Sequence, residues 1–373
     1  MHYDWIEFRS RFPALESRCY LNTAGGGVMS RQVAAAANRY YTEAVEEGDV
    51  CWNRWVKRSD EDRAFVAQAI GCSVDAVAFL QNASLGFNIA ALSLKPEAVI
   101  LALDAEFPSC TTPFIRAGHT VRFVPVPSSG YIDASQLKRA IIDTKPSVFV
   151  LSSVQFANGF NADLQSLGQV CRDLGVHFIV DATQSIGAFD VHMDRDGIDV
   201  LIFSGYKWAT AGYGNAVFAT GPHWLQVNPP LIGWRSAHNA YDLVNNKLDL
   251  IPSGIGHEMG HPPFPGIFTM AEALRLMKEP PAGAISERIR ELTGYLRQGL
   301  HALGIPIRSH TDPHHYSGIT LAEMKNASRV KKDLEAKNIW VTARQGGLRI
   351  SVHAYNDTQD IDWFLSELGL CAF

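Results

Sequence analysis

Short apolar runs recur along the first two thirds of the chain, and amphipathic segments separate them. The runs are rich in β-branched residues and contain few polar side chains, which is typical of strands covered on both faces. Six of them lie at residues 99–103, 121–126, 147–151, 176–180, 200–203 and 216–219. Strands that alternate with helices predict an α/β fold, in which a mostly parallel sheet carries helices on both faces.

The segments between the runs have the ends expected of helices. Residues 134–143 and 163–174 place apolar side chains at helical spacing. Asp163 is suited to cap the first turn of the second segment, and Gly175 follows its last residue. We therefore predict helices over both segments.

The composition changes near residue 228, where proline and glycine become frequent. The stretch 251–266 is rich in both and predicts a loop. Beyond it, helical periodicity returns and short apolar runs follow. We expect a large α/β domain over residues 21–250 and a smaller α+β domain over 251–373, with residues 1–20 packed on the smaller domain.

Composition excludes several classes of protein. Of 373 residues, 47% are hydrophobic and 19% charged, as in ordinary globular proteins, and the net charge of −5 leaves no basic surplus for binding a nucleic acid. No stretch approaches the ~18 apolar residues of a membrane span, and the N-terminus lacks the apolar run of a signal peptide. The six cysteines form no C-x-x-C pair, so neither a zinc ribbon nor a dithiol redox site is indicated, and no metal is expected. A cytoplasmic enzyme without membrane or nucleic-acid partners is expected.

Polar and aromatic side chains gather directly after several predicted strands. In open parallel sheets, ligands bind at the carboxyl ends of the strands, so these residues are expected to meet in one crevice. They are Asp181 and Gln184 after the run 176–180, Ser204, Tyr206 and Lys207 after 200–203, Asn82, Ala83 and Ser84 after a short strand at 76–80, and Phe107 after 99–103.

Three of these residues have a chemical use if the ligand is pyridoxal phosphate. The amine of Lys207 can form a Schiff base with the aldehyde of the cofactor. The carboxylate of Asp181 can keep the pyridine nitrogen protonated, which makes the ring an electron sink for a carbanion at the α-carbon of a substrate. Gln184 can donate a hydrogen bond to the phenolic oxygen.

The remaining residues suit the phosphate and the ring face. A helix that begins at Ala83 and Ser84 offers N–H groups and a hydroxyl to a phosphate, and Ser204 and Tyr206 could add donors. Phe107 could stack on the ring. Taken singly, each residue has an ordinary structural role, as a helix cap, a surface group or a core aromatic. The prediction of a cofactor site rests on their occurring together at successive strand ends.

Four segments resemble motifs of one family, in that family's order. They are Tyr20-Leu21-Asn22-Thr23-Ala24, residues 180–187 around Asp181, residues 203–208 around Lys207, and Gly347-Leu348-Arg349-Ile350-Ser351. With these motifs the chain resembles the class V aminotransferases, fold-type I pyridoxal-phosphate enzymes that include cysteine desulfurases, kynureninases and isopenicillin N epimerase-like proteins. The resemblance implies a mostly parallel central sheet in a large domain and a smaller α+β C-terminal domain.

The resemblance also implies roles for the site residues. Lys207 would form the Schiff base and shuttle the proton, with Asp181 at the ring nitrogen and Arg349 on the α-carboxylate of the substrate. Backbone near Asn22 and Ala24 would reach the substrate. The other implied cofactor contacts are Ala83, Ser84, Phe107, Gln184, Ser204 and Tyr206.

A homodimer is a further implication of the resemblance. In the family, a loop of one subunit reaches the cofactor phosphate of the other. His261 falls near a position of that loop where relatives often have threonine. We therefore expect it to contact phosphate or substrate across the dimer interface.

The same region matches H-E-x-x-H, the zinc-protease motif, at residues 257–261. That chemistry needs both histidines on one face of a helix. Gly254 and Gly256 precede the motif, and Pro262 and Pro263 follow it, so such a helix would be frayed at its start and broken at its end. A metalloprotease is the alternative of a different class, and these residues argue against it.

Several reactions remain open. A persulfide-forming desulfurase is disfavoured because the run 340–347 contains no cysteine to attack the sulfur of a substrate. Transamination, β-elimination by a carbon–sulfur lyase and epimerisation all begin when Lys207 removes a proton from the α-carbon. We favour an aminotransferase as the default of the family, with the lyase second. The candidates for a substrate side pocket are Trp52, Trp55, Trp234, His314 and Arg235, the last as a partner for a side-chain carboxylate.

Overall fold

The computed structural model describes residues 3–344 and 346–371. Its strands are β1 Cys19–Tyr20, β2 Val77–Leu80, β3 Val99–Leu103, β4 Thr120–Val124, β5 Val148–Ser152, β6 His177–Asp181, β7 Val200–Ser204, β8 Ala216–Thr220, β9 Ile319–Glu323, β10 Ile339–Trp340, β11 Thr342–Arg344 and β12 Gly347–Ser351. Its α-helices are α1 Trp5–Ser10, α2 Arg31–Glu47, α3 Trp52–Ile70, α4 Ala83–Ser93, α5 Thr112–Arg116, α6 Ala134–Thr144, α7 Leu164–Leu174, α8 Met193–Asp196, α9 Phe264–Lys278, α10 Ala284–Ala302, α11 Ala327–Glu335 and α12 Thr358–Cys371. Residues 1–2 of the predicted N-terminal segment and residues 372–373 of the predicted smaller domain lie outside the described residues. So does Gln345, which belongs to the run 340–347 that contains no cysteine. None of the described helices is long and apolar enough to cross a membrane.

Seven strands form the central sheet, in the order β2-β8-β7-β6-β5-β3-β4. The pairs from β7 through β6, β5 and β3 to β4 are parallel, whereas β8 runs antiparallel to β2 and β7. All six apolar runs of the sequence overlap strands of this sheet. The predicted α/β fold with a mostly parallel sheet is therefore confirmed.

Six of the seven strands are buried on both faces, whereas the edge strand β4 is mostly exposed, so the prediction of a fully covered strand was wrong for the run 121–126. On β3, Leu101 and Leu103 belong to one hydrophobic cluster, while Ile100 and Ala102 belong to another on the opposite face. Helices α7 and α9 contribute to the first cluster and α4 to the second. Burial on both faces explains why the strands are unbroken apolar runs in the sequence.

The ends of α7 follow the side chains that predicted them. The carboxylate of Asp163 accepts a hydrogen bond from the Ser166 N–H at 3.1 Å and caps the helix. Gly175 ends it with a φ of 67°, a left-handed conformation that glycine adopts at least cost. The chain then enters β6, whose last residue is Asp181.

The C-terminal third forms a separate hydrophobic cluster around a small antiparallel sheet. Strands β11, β12 and β9 pair in that order, and α10, α11 and α12 contribute side chains to the cluster. The beginning of the chain joins this part, since β1 pairs in parallel with β10 and Arg9 forms an ion pair with Asp360 at 2.7 Å. The division of the chain into domains at residues 20 and 250 stays a prediction.

Candidate active site

The carboxyl ends of neighbouring strands bring predicted site residues to one edge of the central sheet. Ser152, Asp181 and Ser204 are the last residues of β5, β6 and β7. Ser152 pairs with Asp181, and Asp181 lies opposite Ile202 on β7. Lys207 follows the end of β7 by three residues, so it starts from the same edge as Asp181.

Lys207 is buried, with 8% of its surface exposed, yet no hydrogen bond joins its amine to the described residues. Its Nζ lies 5.7 Å from the ring centre of Phe107 and 5.4 Å from that of Tyr206. The amine therefore faces aromatic surface, next to groups predicted to hold the cofactor. An amine in this setting keeps its lone pair available for chemistry.

The electrostatic surroundings of Lys207 favour its neutral form. Burial lowers the pKa of Lys207 to about 8, Asp181 opposes that effect, and the guanidinium groups of Arg349 and Arg344 add to it. A lysine with a lowered pKa can act as a nucleophile and a proton acceptor near neutral pH. The two residues on which the cofactor prediction depends, Lys207 and Asp181, thus share one electrostatic neighbourhood.

A glycine-rich turn closes over the backbone of Lys207. The Gly27 N–H donates to the Tyr206 carbonyl at 2.8 Å. A Cβ on Gly27 would lie 2.0 Å from the Lys207 carbonyl oxygen, so a larger residue cannot occupy this position without displacing the lysine. The hydroxyl of Tyr20 donates to the Gly26 carbonyl at 2.6 Å and anchors the turn.

Two donors hold the carboxylate of Asp181. Its Oδ1 accepts from the Thr183 N–H at 2.8 Å, and its Oδ2 accepts from the Cys110 thiol at 3.3 Å. The residue is buried. With both oxygens engaged, the carboxylate has a fixed orientation, which a partner for a ring nitrogen requires.

Gln184 connects this side of the site to the start of the chain. Its Oε1 accepts from the Trp208 indole N–H at 2.7 Å, and its Nε2 donates to the Ala24 carbonyl at 3.2 Å. The second hydrogen of Nε2 remains for the predicted bond to a phenolic oxygen. The Ala24 N–H donates to the Ser351 hydroxyl at 2.9 Å, so protein groups engage both backbone polar groups of Ala24.

Three of the predicted phosphate contacts, Ala83, Ser84 and Ser204, lie at the start of α4, whereas the contact predicted for Tyr206 stays a prediction. The Ala83 N–H donates to the Ser204 hydroxyl at 3.0 Å, and the Ser84 and Ser109 hydroxyls lie 2.8 Å apart. Asn82 caps the helix. Hydroxyls and a helix N-terminus in one corner form a donor set that suits a phosphate. Sequence reasoning missed Ser109.

Two aromatic pairs border Lys207. Phe107 is 39% exposed and meets Phe156 edge-on, with ring centres 5.4 Å apart. Tyr206 stacks on Tyr213 with ring centres 4.5 Å apart. The exposed surface of Phe107 is available to a planar ligand, as its predicted stacking role requires.

Arg349 is a buried cation without an acidic partner among the described residues. It is 2% exposed, its Nη1 donates to the Phe156 carbonyl at 2.8 Å, and its Nε has no partner in the described part of the chain. Burial, with a smaller contribution from Arg344, lowers the pKa of Arg349 to about 10. A buried guanidinium with unfilled donors is suited to bind a carboxylate.

The hairpin that carries Arg349 holds another arginine, which sequence reasoning missed. Arg344 lies on β11, with its guanidinium carbon 5.5 Å from the Phe156 ring centre. Thr342 pairs with Arg349, and its hydroxyl donates to Asn22 Oδ1 at 2.6 Å, which attaches the predicted substrate residue Asn22 to the hairpin. Because side chains alternate along a strand, residues 342 and 344 share a face with Arg349, a signal that a hairpin prediction could have used.

A second buried carboxylate, also missed, lies close to Asp181. Glu106 accepts hydrogen bonds from the Ser152 N–H at 3.0 Å, the Ser152 hydroxyl at 2.5 Å and the Gln155 amide at 2.7 Å. Burial raises the pKa of Glu106 to about 7, although these donors oppose the change. Cys110 connects the two acids, since its thiol lies 3.3 Å from Asp181 and 3.9 Å from the Ser152 hydroxyl. The sequence signal for Glu106 was its position, because it is an acid three residues after the end of β3.

The H-E-x-x-H segment does not fit a zinc protease. Gly254–Glu258 forms a 3₁₀ helix, and Glu258 accepts a hydrogen bond from Arg63 at 2.7 Å in the interior. Burial lowers the pKa of His257 to about 4, and its ring packs on Phe218. Within residues 3–344 and 346–371, no group of three His, Cys, Asp or Glu side chains is placed to hold a metal ion. The metalloprotease alternative therefore has no support in this geometry.

Arg235 and His314 make their contacts elsewhere. The guanidinium of Arg235 lies 3.8 Å from Glu258. His314 belongs to a 3₁₀ turn, and its N–H donates to the Asp312 carboxylate at 2.9 Å. Their predicted places in a substrate pocket stay predictions.

Three tryptophans considered for a substrate pocket gather around one cavity, together with His261. Trp52, Trp55, Trp234 and His261 all line it. His261 is exposed, and its ring centre lies 5.4 Å from that of Trp52 and 5.1 Å from that of Trp234. Its predicted contact with a cofactor in another subunit stays a prediction.

The described residues fit pyridoxal phosphate. The aldehyde needs a free amine, which Lys207 provides, and the ring nitrogen needs an oriented carboxylate, which Asp181 provides. The phosphate and a substrate carboxylate bring negative charge, and the guanidinium groups of Arg344 and Arg349 lie near enough to Lys207 to affect its pKa. The guanidinium of Arg349 keeps donors that no described residue accepts from, as its predicted contact with a carboxylate requires.

Comparisons with known proteins agree with this geometry. The family model for aminotransferase class-V matches residues 19–364. A "probable cysteine desulfurase" of Pyrococcus abyssi (strain GE5 / Orsay) is 24% identical over 390 residues, which cover 97% of this chain and 96% of the relative. The apo structure of cysteine desulfurase from Thermococcus onnurineus NA1 has a TM-score of 0.90 at 22% identity and covers 100% of this chain and 98% of its own. The cystine C–S lyase C-DES, in complex with its reaction product cysteine persulfide, has a TM-score of 0.87 at 22% identity, with 96% and 99% of the two chains covered. At these identities the structural likeness shows the shared fold.

Proposed function

This chain belongs to the class-V aminotransferase family, and from that premise we propose that it transfers the amino group of an α-amino acid. It is a pyridoxal-phosphate enzyme that acts on an amino-acid substrate. One observation carries the proposed reaction. The free amine of Lys207 shares a buried site with the carboxylate of Asp181 and with Arg349, which has no acidic partner in the described chain.

Each residue contributes a separate part of the reaction. The cofactor, when bound, supplies an electron-poor ring that accepts the electron pair left at the α-carbon. Asp181 keeps a negative charge at the ring nitrogen. Arg349 binds the substrate carboxylate through the donors that the Phe156 carbonyl leaves unused. Lys207 takes the proton from the α-carbon at its Nζ and holds it for return.

A carbon–sulfur lyase is the second candidate. The similar proteins include a probable cysteine desulfurase and a cystine C–S lyase. β-Elimination needs the same proton removal by Lys207 and no thiol from the protein. Cys110 contacts Asp181, but burial raises the pKa of its thiol well above the usual range, so it is a poor nucleophile. Elimination therefore suits this chain better than a reaction through a protein persulfide.

Product analysis separates the two reactions. The cofactor-loaded enzyme is incubated with a panel of α-amino acids that includes cysteine and cystine, with and without a 2-keto acid. A new amino acid formed from the keto acid, without release of ammonia, supports the aminotransferase. Pyruvate and ammonia formed from cystine without a keto acid overturn it in favour of the lyase. The Lys207→Ala variant should form neither set of products.

We also propose a homodimer in which His261 of one subunit reaches the cofactor site of the other. The support is the family resemblance and the exposure of His261. Mixing Lys207→Ala chains with His261→Ala chains tests this, because a heterodimer with shared sites regains one intact site. A protein that sediments as a monomer at full activity, or no recovery after subunit exchange, would contradict the proposal.

A further inference from the structure

The hairpin of β11 and β12 carries two arginines on one face. Thr342 lies opposite Arg349. Two residues further along β11, Arg344 lies opposite Gly347. Arg344 and Arg349 are therefore diagonal neighbours across the hairpin, with backbones about 7–8 Å apart and side chains on the same face. A single hairpin thus brings a second guanidinium to the side of the site where Arg349 is predicted to bind the substrate.

The two arginines contact one residue, Phe156. The guanidinium carbon of Arg344 lies over its ring, 5.5 Å from the ring centre, and Nη1 of Arg349 donates to its carbonyl at 2.8 Å. The ring centres of Phe156 and Phe107 are 5.4 Å apart, and Lys207 Nζ lies 5.7 Å from the ring centre of Phe107. A short series of contacts therefore connects Arg344 to the amine on which the reaction depends.

The charge of Arg344 acts on the other cations of the site. Burial is the main cause that lowers the pKa of Lys207 and of Arg349, and the guanidinium of Arg344 lowers both further. Charges far apart in water are screened from each other, so this effect requires a short separation. The electrostatic coupling and the contacts through Phe156 place Arg344 in the same neighbourhood.

The guanidinium of Arg344 is free to bind a ligand. Within the described chain no acid forms an ion pair with it, and no residue accepts a hydrogen bond from it. Its contact with the Phe156 ring uses no N–H donor. The side chain is exposed, whereas Arg349 is 2% exposed, so the hairpin holds one cation inside and one at the surface. Arg235, which the sequence suggested as a partner for a side-chain carboxylate, has Glu258 3.8 Å away.

Two guanidinium groups on one face suit a substrate with two acidic groups. The α-carboxylate is common to all amino acids, and Arg349 is predicted to bind it. A second cation gains charge-assisted hydrogen bonds only from a substrate whose side chain is acidic, so it discriminates between substrates. We propose that Arg344 selects amino acids whose side chain ends in a carboxylate. This proposal rests on the proposed function, since it takes Arg349 as the residue that binds the α-carboxylate.

Pairs of isosteric amino acids test the proposal, because aspartate and asparagine, like glutamate and glutamine, differ in charge and hardly in shape. Each is mixed with the cofactor-loaded enzyme in a stopped-flow instrument without a keto acid, and the early change of the visible band gives its affinity. Aspartate or glutamate should bind at least about tenfold more tightly than its amide. Arg344→Gln should abolish this preference and leave the affinity for the amide within about twofold of the original. Arg344→Lys, which keeps the charge, should retain part of it.

The matched control is Arg329→Gln, at an exposed arginine on α11 that pairs with Asp333 at 3.6 Å. It should change neither affinity. Product analysis is run on the same preparations. Because the titration measures binding, a preference for the acidic amino acid stands whether transfer or elimination products form. Failure of the proposed reaction is therefore distinguishable from failure of the proposed selectivity.

Three outcomes overturn the proposal. The first is an acidic amino acid that binds no better than its amide or leaves the visible band unchanged. The second is an equal loss of affinity for acid and amide in Arg344→Gln, because Arg344 would then bind the α-carboxylate or support the fold. The third is an equal loss in Arg329→Gln, because the effect would then come from the net charge of the protein.

Discussion

Two buried arginines show how differently this protein treats charge in its interior. Arg63 and Arg349 are each 2% exposed. Arg63 donates to the Glu258 carboxylate at 2.7 Å, whereas Arg349 donates to the Phe156 carbonyl and has no acid beside it among the described residues. The charge of Arg63 is compensated within the fold, whereas that of Arg349 has no counterion among the described residues, as its predicted contact with a substrate carboxylate requires.

The difference distinguishes a structural ion pair from a binding site. A buried charge without a counterion costs several kcal/mol, so it persists where a ligand completes it. Both regions carried motifs in the sequence, H-E-x-x-H around Glu258 and the carboxylate-binding segment around Arg349. Charge balance, which the motifs do not reveal, decides which region can take a ligand.

Removing the amine of Lys207, in the region around the uncompensated Arg349, should have the largest effect on activity. Lys207→Ala should lower kcat by roughly 10⁴-fold, the upper range for a positioned general base, and abolish the visible band that borohydride removes. Steady-state kinetics and absorbance measure both. Lys331→Ala, at a lysine paired with Glu335 on α11, is the control. Turnover retained in Lys207→Ala would mean that the region around Arg349 is not the catalytic site. The comparison with the region around Arg63 would then have no basis.

Breaking the compensated pair should act on stability instead. Arg63→Met leaves Glu258 buried without its close partner, so the free energy of unfolding should fall by about 3–5 kcal/mol. Urea unfolding followed by circular dichroism measures this. Adding Glu258→Leu should restore part of the loss, because the pair is then removed as a unit. A marked fall of kcat/KM in the folded Arg63→Met protein would erase the distinction between the two regions.

Arg349→Leu should show the opposite result. The value of kcat/KM should fall roughly 10²–10³-fold, because the charge-assisted hydrogen bonds to the substrate carboxylate are lost. The free energy of unfolding should be unchanged or higher, since an uncompensated buried charge is removed. Initial rates and urea unfolding on the same preparation separate the effects. A large loss of stability with normal kinetics would mean that Arg349 is structural.

His257, next to Glu258 in the chain, adds a pH dependence to the compensated region. Its pKa is about 4 in the fold, against roughly 6.5 in an unfolded chain, so the unfolded state binds the proton first as the pH falls. The free energy of unfolding should therefore fall by up to roughly 3 kcal/mol from pH 6.5 to 4, and His257 should add no slope above pH 6.5. His257→Gln should remove this part of the slope. His353, whose pKa burial also lowers to about 4, should contribute a similar part that the variant leaves in place.

The smallest effect is expected for Glu106, a carboxylate held by neutral donors and not by a cation. As the pH falls through about 7, Glu106 takes up a proton, and the field on Asp181 changes. The visible band of the loaded enzyme should shift with a midpoint near pH 7, and Glu106→Gln should remove the midpoint. The change in kcat should stay below about tenfold. A midpoint that persists in Glu106→Gln would assign the titration to another group.

Most of the sheet was predictable because strands covered on both faces are apolar throughout. The run 99–103 coincides with β3, and the runs 200–203 and 216–219 each fall one residue short of the strands. The run 121–126 extends too far, since β4 is Thr120–Val124. Pro125 has no N–H to continue the ladder, and its effect on pairing was not taken into account.

The site was predictable where residues directly follow a strand. Asp181 ends β6 and Lys207 follows β7 by three residues, and the end of a parallel strand fixes their edge of the sheet. Cys110 could not be found in this way, since its role depends on contacts with Asp181 and Ser152 across 71 and 42 residues of sequence. Finding Arg344 would have required the register of the hairpin that β11 and β12 form.

The pairing of β1 with β10 also bears on how the protein is made. The hydroxyl of Thr342 meets Asn22 across 320 residues of sequence. At the usual 5–20 residues per second, a ribosome needs roughly 16–64 s to supply the partner. Throughout that interval Cys19 and Tyr20 lack the partner strand that they pair with in the fold. A holdase that covers these residues during translation would therefore raise the yield of active enzyme more than one that acts after release.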